Sequence, residues 1–495
     1  MFRDLQTTIN AVEAGFGTPR ILVLGDLMLD RHWFGAVERI SPEAPVPVVR
    51  LRRQSCAPGG AGNVARNLAG LGCAVNLAGV LGDDGAGKEF LECMQTDGVN
   101  TAAVLIDPKR ATTEKTRIIG GHQQILRLDR EEMEPLAPPL RESLSKLLAP
   151  QIHRSSVIVL SDYAKGVLGE EICRFVIREA RQHSIPVLVD PKGDHYTRYQ
   201  GATMLSPNRT EIAAATHSPT ADLGRVFESA ETLRKSLGVE FLAITLGELG
   251  MALLEPGSIY RCPARVREVF DVSGAGDTVM AVWAAGMAAG LDRHDCANLA
   301  NVAAGIVISK LGTTAVSRHE LLASLSDQKR KASTAKICTL EQLQMQVTSW
   351  RARGERIVFT NGCFDLVHVG HIALLERAKL EGNRLIVGLN SDASVRGLKG
   401  PARPIVGEYE RAQVLASLAA VDAVILFNEE TPLKLITSLY PDVLVKGGDY
   451  REHEVVGADE VSSWGGKVVL VPLVEGQSTT HLLSKARRNS FPVLS

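Results

Sequence analysis

The alternation of short apolar runs with helical stretches is the feature that most restricts how this chain can fold. Runs rich in Val, Ile and Leu, such as ILVLG from Ile21, SVIVLSD from Ser156 and FLAITLG from Phe241, are separated by segments with helical periodicity. Such alternation predicts βαβ units, and therefore a mainly parallel sheet covered by helices. We expect an α/β protein.

The alternation stops once, in the polar stretch SDQKRKASTAK at residues 326–336, and begins again near Arg356. A chain of 495 residues is also too long for one ordinary hydrophobic core. We therefore expect a first domain at 1–330, a linker at 331–354 and a second, smaller α/β domain at 355–495.

The sequence pattern changes after Asp30. The segment HWFGAVERISPEAPVPVVRL has prolines at 42, 45 and 47 with valines between them. Proline lacks the backbone donor that a central strand needs, so these residues favour edge strands. We expect a small β flap beside the main sheet, which would act as a lid or as a dimer contact.

Charge and cysteine usage limit the classes of partner and compartment. A net charge of -1 gives no general attraction to nucleic acid or to a membrane. The longest helix-like apolar stretch, VMAVWAAGMAAGL after Thr278, is shorter than the roughly 18 residues of a membrane span. The eight cysteines form no CxxC pair, and the N-terminus lacks a signal-peptide core. These features favour a reducing, cytoplasmic setting.

The stretch VFDVSGAGDTVM has the composition of an anion site. Gly274, Ala275 and Gly276 stand between a strand-like segment and a long apolar helix, where backbone N–H groups and the helix dipole favour a phosphate. Asp277 follows directly and could accept a proton from an attacking hydroxyl. Because Asp is also a common helix cap, a purely structural role stays open on these residues alone.

Other stretches fall in an order that is typical of a known family. The glycine-rich CAPGGAGNVARNLAGLG at 56–72 precedes DVSGAGD at 271–277 by about 200 residues, and GDLMLD, NRTE and ITLGELG occur in family order at 25–30, 208–211 and 244–250. Residues 1 to about 330 thus resemble the ribokinase or PfkB family of sugar kinases. The resemblance implies a ribokinase-like three-layer α/β domain.

The same resemblance implies roles for individual residues. Asp277 would be the catalytic base, with an anion hole at Gly274, Ala275 and Gly276. The residues expected to touch the sugar are Asp30, Gly60 and Asn63, and those expected near ATP are Asn208, Arg209, Thr210, Glu211, Thr245 and Gly247. Magnesium would arrive with ATP near Glu211, without a metal site of the protein's own and with no other cofactor. Asn63 as a helix cap and Glu211 as a first-turn helix acid remain alternatives.

The stretch GCFDLVHVGH at 362–371 carries the chemistry of the second domain. A strand, RIVFT, runs into a turn, and a helix is predicted to begin near Val369. His368 and His371 would then both reach the space beyond the helix N-terminus, which is an anion site. A metal pair would need a third ligand or a cysteine cluster, neither of which the sequence shows. Two ordinary core histidines remain the plainer alternative.

The motif is similar to the HxGH signature of the cytidylyltransferase-like nucleotidyltransferase superfamily, over residues 355 to about 488. The resemblance implies a Rossmann-like domain with His368 and His371 as catalytic residues. The residues expected to bind the nucleotide are Gly362, Phe364, Lys399, Arg411, Ser478, Thr479 and Thr480, and Arg403 is a further candidate cation. The chain lacks the arginine that many relatives carry after the threonine pair, so Lys485, Arg487 or Arg488 would have to replace it. A solvated face remains the alternative for the basic residues.

The two domains in this order resemble a family of bifunctional enzymes that make ADP-heptose for bacterial lipopolysaccharide. This implies phosphorylation of D-glycero-β-D-manno-heptose 7-phosphate at O1 and adenylyl transfer from ATP to heptose 1-phosphate. The partners implied are ATP, heptose phosphates and a second copy of the chain, joined through the kinase domain, with no nucleic acid or membrane. Another sugar or polyol phosphate, with CTP, stays open, as does a catalytically silent binding domain.

Overall fold

The computed structural model describes residues 2–121, 123–218, 222–264, 269–310, 312, 314–448, 451 and 454–472, with the side chains of 329–333 excepted. The chain divides into two compact units, Met1–Leu325 and Ser326–Ser495. No helix within the described ranges is long and apolar enough to cross a membrane.

The first unit is built around a nine-stranded sheet. Its order is β13-β12-β11-β10-β9-β8-β1-β4-β5, parallel from β11 to β5 and antiparallel at β12 and β13. The strands are β1 (Arg20–Gly25), β2 (Leu27–Ile40), β3 (Pro47–Gly60), β4 (Ala74–Gly82), β5 (Asn100–Asp107), β6 (Thr113–Gly120), β7 (Gln123–Arg130), β8 (Val157–Ser161), β9 (Val187–Asp190), β10 (Met204–Leu205), β11 (Phe241–Thr245), β12 (Met251–Glu255) and β13 (Ser258–Cys262).

Helices cover both faces of this sheet. They are α1 (Leu5–Glu13), α2 (Ala61–Gly70), α3 (Gly85–Thr96), α4 (Pro138–Ile152), α5 (Glu170–Gln182), α6 (Arg209–Thr216), α7 (Leu223–Leu237), α8 (Ala275–Ala288) and α9 (Arg293–Ile308), with α10 (Arg318–Thr334) containing the division point. Strand β1 shows why its sequence is a continuous apolar run. Ile21 and Val23 belong to one core and Leu22 and Leu24 to the other, so alternate side chains enter opposite layers. The predicted three-layer α/β class is confirmed.

The flap is a separate four-stranded sheet, ordered β3-β2-β6-β7. Strands β2 and β3 come from the proline-containing segment, whereas β6 and β7 come from residues 113–130, which the sequence did not single out. Side chains alternate across it, so Asp30 lies on one face and Trp33 on the other. Trp33 pairs with Ile118, and Ile118 with Leu126, which gives the second face an apolar patch.

The second unit has a five-stranded, all-parallel sheet of order β16-β15-β14-β17-β18. Its strands are β14 (Ile357–Gly362), β15 (Arg384–Asn390), β16 (Ala423–Phe427), β17 (Val443–Gly447) and β18 (Lys467–Val471). Its helices are α11 (Leu340–Ala352), α12 (Val369–Leu380), α13 (Asp392–Lys399), α14 (Glu408–Ser417), α15 (Leu433–Leu439) and α16 (Ala458–Ser463).

Residues 331–354, expected as a linker, contain helix α11. Its side chains Leu343, Val347 and Trp350 are buried in the same core as Phe359 of β14. Thr339 and Gln342 form a reciprocal capping box at the start of this helix. The polar composition of the neighbouring stretch concealed this amphipathic helix, which the structure assigns to the second unit.

Both parallel sheets reverse their strand order beside their first strand. In the larger sheet β4 and β8 lie on opposite sides of β1, and in the smaller sheet β15 and β17 lie on opposite sides of β14. The loops that leave such neighbouring strands run in opposite directions, which opens a crevice at the carboxyl ends. Each unit therefore has one crevice in which a ligand site is expected.

Candidate active sites

Asp277 lies in the first turn of α8, and its side chain is held at both oxygens. The amide Nδ2 of Asn63 donates to Oδ2 at 2.8 Å, and the hydroxyl of Tyr163 donates to Oδ1 at 2.8 Å. The carboxyl group is buried, with only 2% of the residue exposed. Burial raises the pKa of Asp277 to about 6, while the two donors act in the opposite direction. Such a carboxylate suits proton transfer near neutral pH.

The three residues before Asp277 leave open space at the helix start. Gly274 is the N-cap of α8 at φ 78°, in the left-handed region that favours glycine. A Cβ at Gly276 would meet no atom within 4 Å. The first N–H groups of a helix point outward without intrahelical partners, so an anion has room to approach them.

Asn63 is a hydrogen-bond partner of Asp277 and not a helix cap. The N-cap of α2 is Gly60, and no side chain caps this helix. Asn67, one turn later, donates to the carbonyl oxygen of Asn63 at 2.8 Å and accepts from Thr278 and from the backbone of Val316. The structure thus places Asn63 inside a buried network that joins α2 to α8.

The loop that carries Tyr163 is fixed by Asp26, a residue that the sequence did not distinguish. Asp26 directly follows β1 and accepts the backbone N–H groups of Tyr163, Lys165 and Val167 at 2.8, 3.0 and 3.2 Å. Gly60 packs on the same turn at φ 57°, where a Cβ would lie 2.6 Å from the carbonyl oxygen of Asp26. Three hydrogen bonds therefore join the loops that follow β1 and β8.

Of the residues expected to touch the sugar, Asp30 lies on the polar face of the flap. Asp30 accepts from Arg117 at 2.7 Å, and a Cβ at Gly59 would lie 2.5 Å from an oxygen of Asp30. Lys115 is half-buried with its Nζ 5.3 Å from the ring centre of Tyr163, and burial lowers its pKa. Lys115, beside Tyr163, and Arg117, beside Asp30, are cations that sequence reasoning missed, because β6 is distant in the chain from every motif.

The ATP-side candidates gather at the carboxyl ends of β9, β10 and β11. Asn208 pairs with Thr245 in a β-bridge, which brings the NRTE and ITLGELG stretches together. Asn208 and Glu211 form a capping box on α6, and Lys192 donates to Glu211 at 2.8 Å. The capping role that the sequence left open for Glu211 is therefore present.

The remaining ATP-side residues lie at the same edge. Arg209 pairs with Glu248 at 3.3 Å, Thr210 is exposed on α6, and Gly247 has φ 63°. Asp190 ends β9 nearby, and burial together with the charges of Asp277 and Glu211 raises its pKa. No group of three or more His, Cys, Asp or Glu within the described ranges could hold a metal.

The two histidines of the second unit stack at the N-terminus of α12. His368 is the N-cap, and its ring centre is 3.8 Å from that of His371 with the planes 22° apart. Phe364, at φ 45°, presents its edge to His371 at 5.0 Å. Nδ1 of each histidine is buried with no hydrogen-bond partner among the described residues. The predicted approach of both rings to the helix start is thus observed.

Burial disfavours the charged form of both rings. Burial lowers the pKa of His371 to about 4, with the charges of His368 and Lys399 as smaller causes, and burial also lowers the pKa of His368. A neutral imidazole has one N–H donor. The pair therefore offers hydrogen bonds to a phosphate without permanent positive charge.

Charge at this site comes from lysines. Lys446, at the end of β17, donates to Oδ1 of Asn361 at 3.0 Å and so crosses the β14–β17 crevice; burial lowers its pKa. Lys399 ends α13 and is exposed. Gly362 closes β14, where a Cβ would lie 3.0 Å from the ring of Phe364. The sequence pattern alone did not single out Lys446, because its partner Asn361 lies on a strand that is distant in the chain.

The two arginines are bound to protein groups. Arg403 donates to Asp365 at 2.5 Å. Arg411 is buried, and its guanidinium donates to the carbonyl oxygens of Cys363, Asn390 and Val406 and to Asp392. The structure therefore does not present Arg411 to a nucleotide, and it is not solvated either. Ser478, Thr479 and Thr480 lie outside the described residues.

Family patterns match the two units in turn. The pattern of the pfkB family carbohydrate kinases matches residues 18–320, and the cytidylyltransferase-like pattern matches residues 359–486. Together with the two crevices, these matches define the class: a sugar kinase followed by a nucleotidyltransferase in one chain.

Whole-length relatives identify the family. A Bifunctional protein HldE of Magnetococcus marinus is 51% identical over 484 residues, covering 96% of this chain and 99% of the relative. A Bifunctional protein HldE of Methylobacillus flagellatus is 51% identical over 466 residues, covering 94% and 96%. The chain belongs to the family of bifunctional HldE proteins.

Solved structures support the fold of the first unit. The Arabidopsis thaliana ribokinase complexed with ribose and ATP aligns with a TM-score of 0.52 at 21% identity, covering 62% of this chain and 99% of that one. Phosphofructokinase-2 from Escherichia coli in complex with substrates and products aligns at 0.54 and 18%, covering 62% and 98%. The predicted ribokinase-like fold is confirmed.

We expect Arg411→Ala to lower the free energy of unfolding of the second unit by about 3 kcal/mol, because it leaves buried carbonyl oxygens and Asp392 without their donor. Arg411→Lys should also destabilise, since one ammonium cannot reach all four acceptors. Urea unfolding of the full chain measures both. Lys399→Ala, at an exposed cation, is the matched control and should leave unfolding unchanged. Wild-type stability of Arg411→Ala with a raised KM for ATP would instead assign Arg411 to the nucleotide.

Proposed function

We propose that the first unit phosphorylates D-glycero-β-D-manno-heptose 7-phosphate at O1 with ATP, giving the 1,7-bisphosphate. The second unit joins AMP from ATP to heptose 1-phosphate, giving ADP-heptose for the lipopolysaccharide core and releasing pyrophosphate. The whole-length likeness to bifunctional HldE proteins carries this proposal. The identity of the sugar rests on that family likeness. The chemistry of the candidate site residues supports the two reaction types, phosphoryl transfer and adenylyl transfer.

In the kinase reaction, the anomeric hydroxyl attacks the γ-phosphorus and the bond to the β–γ bridging oxygen breaks, releasing ADP. Asp277 accepts the hydroxyl proton, while the N–H groups around Gly274 and Gly276 stabilise the transferring phosphoryl oxygens. Asp30 and Asn63 orient the sugar. Because phosphoryl transfer needs little covalent help, positioning by these residues supplies most of the catalysis.

In the adenylyl transfer, an oxygen of the sugar 1-phosphate attacks the α-phosphorus and pyrophosphate leaves. The phosphate nucleophile is ionised near pH 7, so no general base is required. His368 and His371 donate hydrogen bonds to the α-phosphate as its charge grows, and Lys399 and Lys446 add positive charge. No covalent intermediate with the protein is formed.

Magnesium fits this proposal as a companion of ATP. Glu211 already accepts from Lys192 and from the backbone of Asn208, so its carboxylate is shared. A divalent ion held mainly by phosphate oxygens, with Glu211 nearby, agrees with that arrangement. When bound, the ion neutralises charge on the nucleotide phosphates.

A homodimer through the flap is part of the proposal. The apolar face of this sheet carries exposed aliphatic side chains, namely Val37, Leu51, Leu126 and Leu128, each 39% to 49% exposed. Contiguous exposed apolar surface marks interaction sites, and the opposite face is occupied by Asp30 and its cations. A second copy would cover the apolar face.

The protein is proposed to act in the cytoplasm. Its eight cysteines are free thiols, which favours a reducing compartment.

Product analysis tests the substrates. With ATP and magnesium, heptose 7-phosphate should gain one phosphate at O1, and heptose 1-phosphate should give ADP-heptose and pyrophosphate, both identified by mass. A panel of other sugar and polyol phosphates, and CTP in place of ATP, serves as the control. Faster turnover of another sugar or of CTP would overturn the assignment of substrate while leaving the reaction types intact.

The two activities should be separable by single substitutions. Asp277→Asn should abolish sugar phosphorylation and leave adenylyl transfer intact, because the amide cannot accept the proton. His371→Ala should do the reverse, because it removes a donor to the α-phosphate. Each variant is the other's control, measured with both assays. Loss of both activities in a folded variant would contradict two independent sites.

The flap contact predicts the oligomeric state. Leu126→Glu should give a monomer by sedimentation analysis where the wild-type chain is a dimer, because a carboxylate would be buried against apolar side chains. Gln124→Glu adds the same charge on the opposite face of β7, because a register shift lets Gln124 pair with Ile119 while Leu126 pairs with Ile118; it should leave the dimer unchanged. A dimer that survives Leu126→Glu would exclude this face as the interface.

A further inference from the structure

Tyr163 contacts the base but belongs to none of the family motifs in the sequence. Its hydroxyl donates to Oδ1 of Asp277 at 2.8 Å, opposite the 2.8 Å bond from Asn63 to Oδ2. A carboxylate has about four lone-pair sites, so Oδ1 can accept a second hydrogen bond from a substrate hydroxyl. Tyr163 therefore constrains the carboxylate without blocking its chemistry.

The position of this hydroxyl is imposed by the surrounding structure. Asp26, 1% exposed, clamps the backbone of the loop through three N–H groups. The ring lies beside Gly60, where a Cβ would stand 3.5 Å from Cδ2. Burial raises the pKa of the Tyr163 hydroxyl well above its ordinary value, so it remains a donor. A donor this well fixed sets the orientation of Asp277.

We propose that Tyr163 is a positioning residue for sugar phosphorylation, whose hydroxyl orients Asp277 toward the substrate and favours its ionised form. This rests on the proposed function, in which Asp277 is the base. The hydroxyl itself neither takes nor gives the transferred proton.

The charges around Asp277 determine the direction in which its pKa is shifted, and this direction can be measured. Burial raises the pKa of Asp277 to about 6, Asp30 acts in the same direction, and Lys115 opposes it. Asp190 is a further carboxylate near Asp277, and each charge disfavours the other. The base is protonated below its pKa, so kcat/KM falls as the pH drops through about 6. Removing the Tyr163 donor should raise the pKa of Asp277. The acidic limb of the pH profile, where kcat/KM falls as the pH drops, would then move to higher pH.

The first test is Tyr163→Phe in the full chain, with kcat/KM for sugar phosphorylation measured against pH. We expect the acidic limb to move upward by about one pH unit, the shift that corresponds to losing one hydrogen bond to a charged group. Adenylyl transfer by the same preparation should be unchanged. Tyr199→Phe is the matched control, because Tyr199 donates at 2.7 Å to Asp162 and not to the base; its limb should stay at the wild-type position.

A second variant should shift the pH profile in the opposite direction. Site-specific replacement of Tyr163 by 3,5-difluorotyrosine keeps the shape and strengthens the donor, so the limb should move to lower pH. This variant also answers the question if Tyr163→Phe fails to fold. An unmoved limb in either folded variant would overturn the positioning role. A wild-type profile with no acidic limb, or kinase activity retained by Asp277→Asn, would instead show that the base assignment has failed.

Discussion

The reversal of strand order beside the first strand of each parallel sheet is the constraint on which the rest of the structure depends. It separates the loops that follow β1 and β8 in one unit and β14 and β17 in the other, so each sheet opens at its carboxyl edge. Asp26 and Tyr163 lie at the first opening, and Asn361 with Lys446 at the second. The two proposed reactions would thus occupy equivalent places in their sheets, because both need a helix N-terminus beside a crevice that can admit a nucleotide.

The crevices are kept in shape by buried charges with complete sets of partners. Asp26 holds one loop by three backbone N–H groups, and Arg411 holds three segments through their carbonyl oxygens. An unpaired buried charge is strongly unfavourable, so each of these residues stabilises only the loop arrangement that satisfies it. Asp277 differs in purpose. Its two donors hold it beside open space at the start of α8, which leaves its carboxylate able to accept a proton.

Sequence reasoning located the helix starts where the signal is local. Asp277, His368 and His371 stand directly at helix starts, so position along the chain already indicates what their side chains face. It missed Tyr163 and Lys446 because each acts across strands that are distant in sequence. It did not foresee the protein partners of Arg411, because the sequence around a cation does not show whether that cation meets a ligand, water or buried carbonyl oxygens. Helix α11 was not predicted within residues 331–354 for a similar reason, since a half-buried helix is largely polar in composition.

By itself the sequence determined the α/β class, the presence of two units and the two helix starts at which a phosphate is expected. Strand and helix periodicity, together with the residues at helix N-termini, depend only on neighbours in sequence. Only the tertiary structure decided which side chains share a crevice, which cations are free for a ligand and how the pKa of Asp277 reaches about 6. Those properties depend on burial and on partners brought together from distant segments, such as Asn63 and Tyr163, which no local pattern encodes.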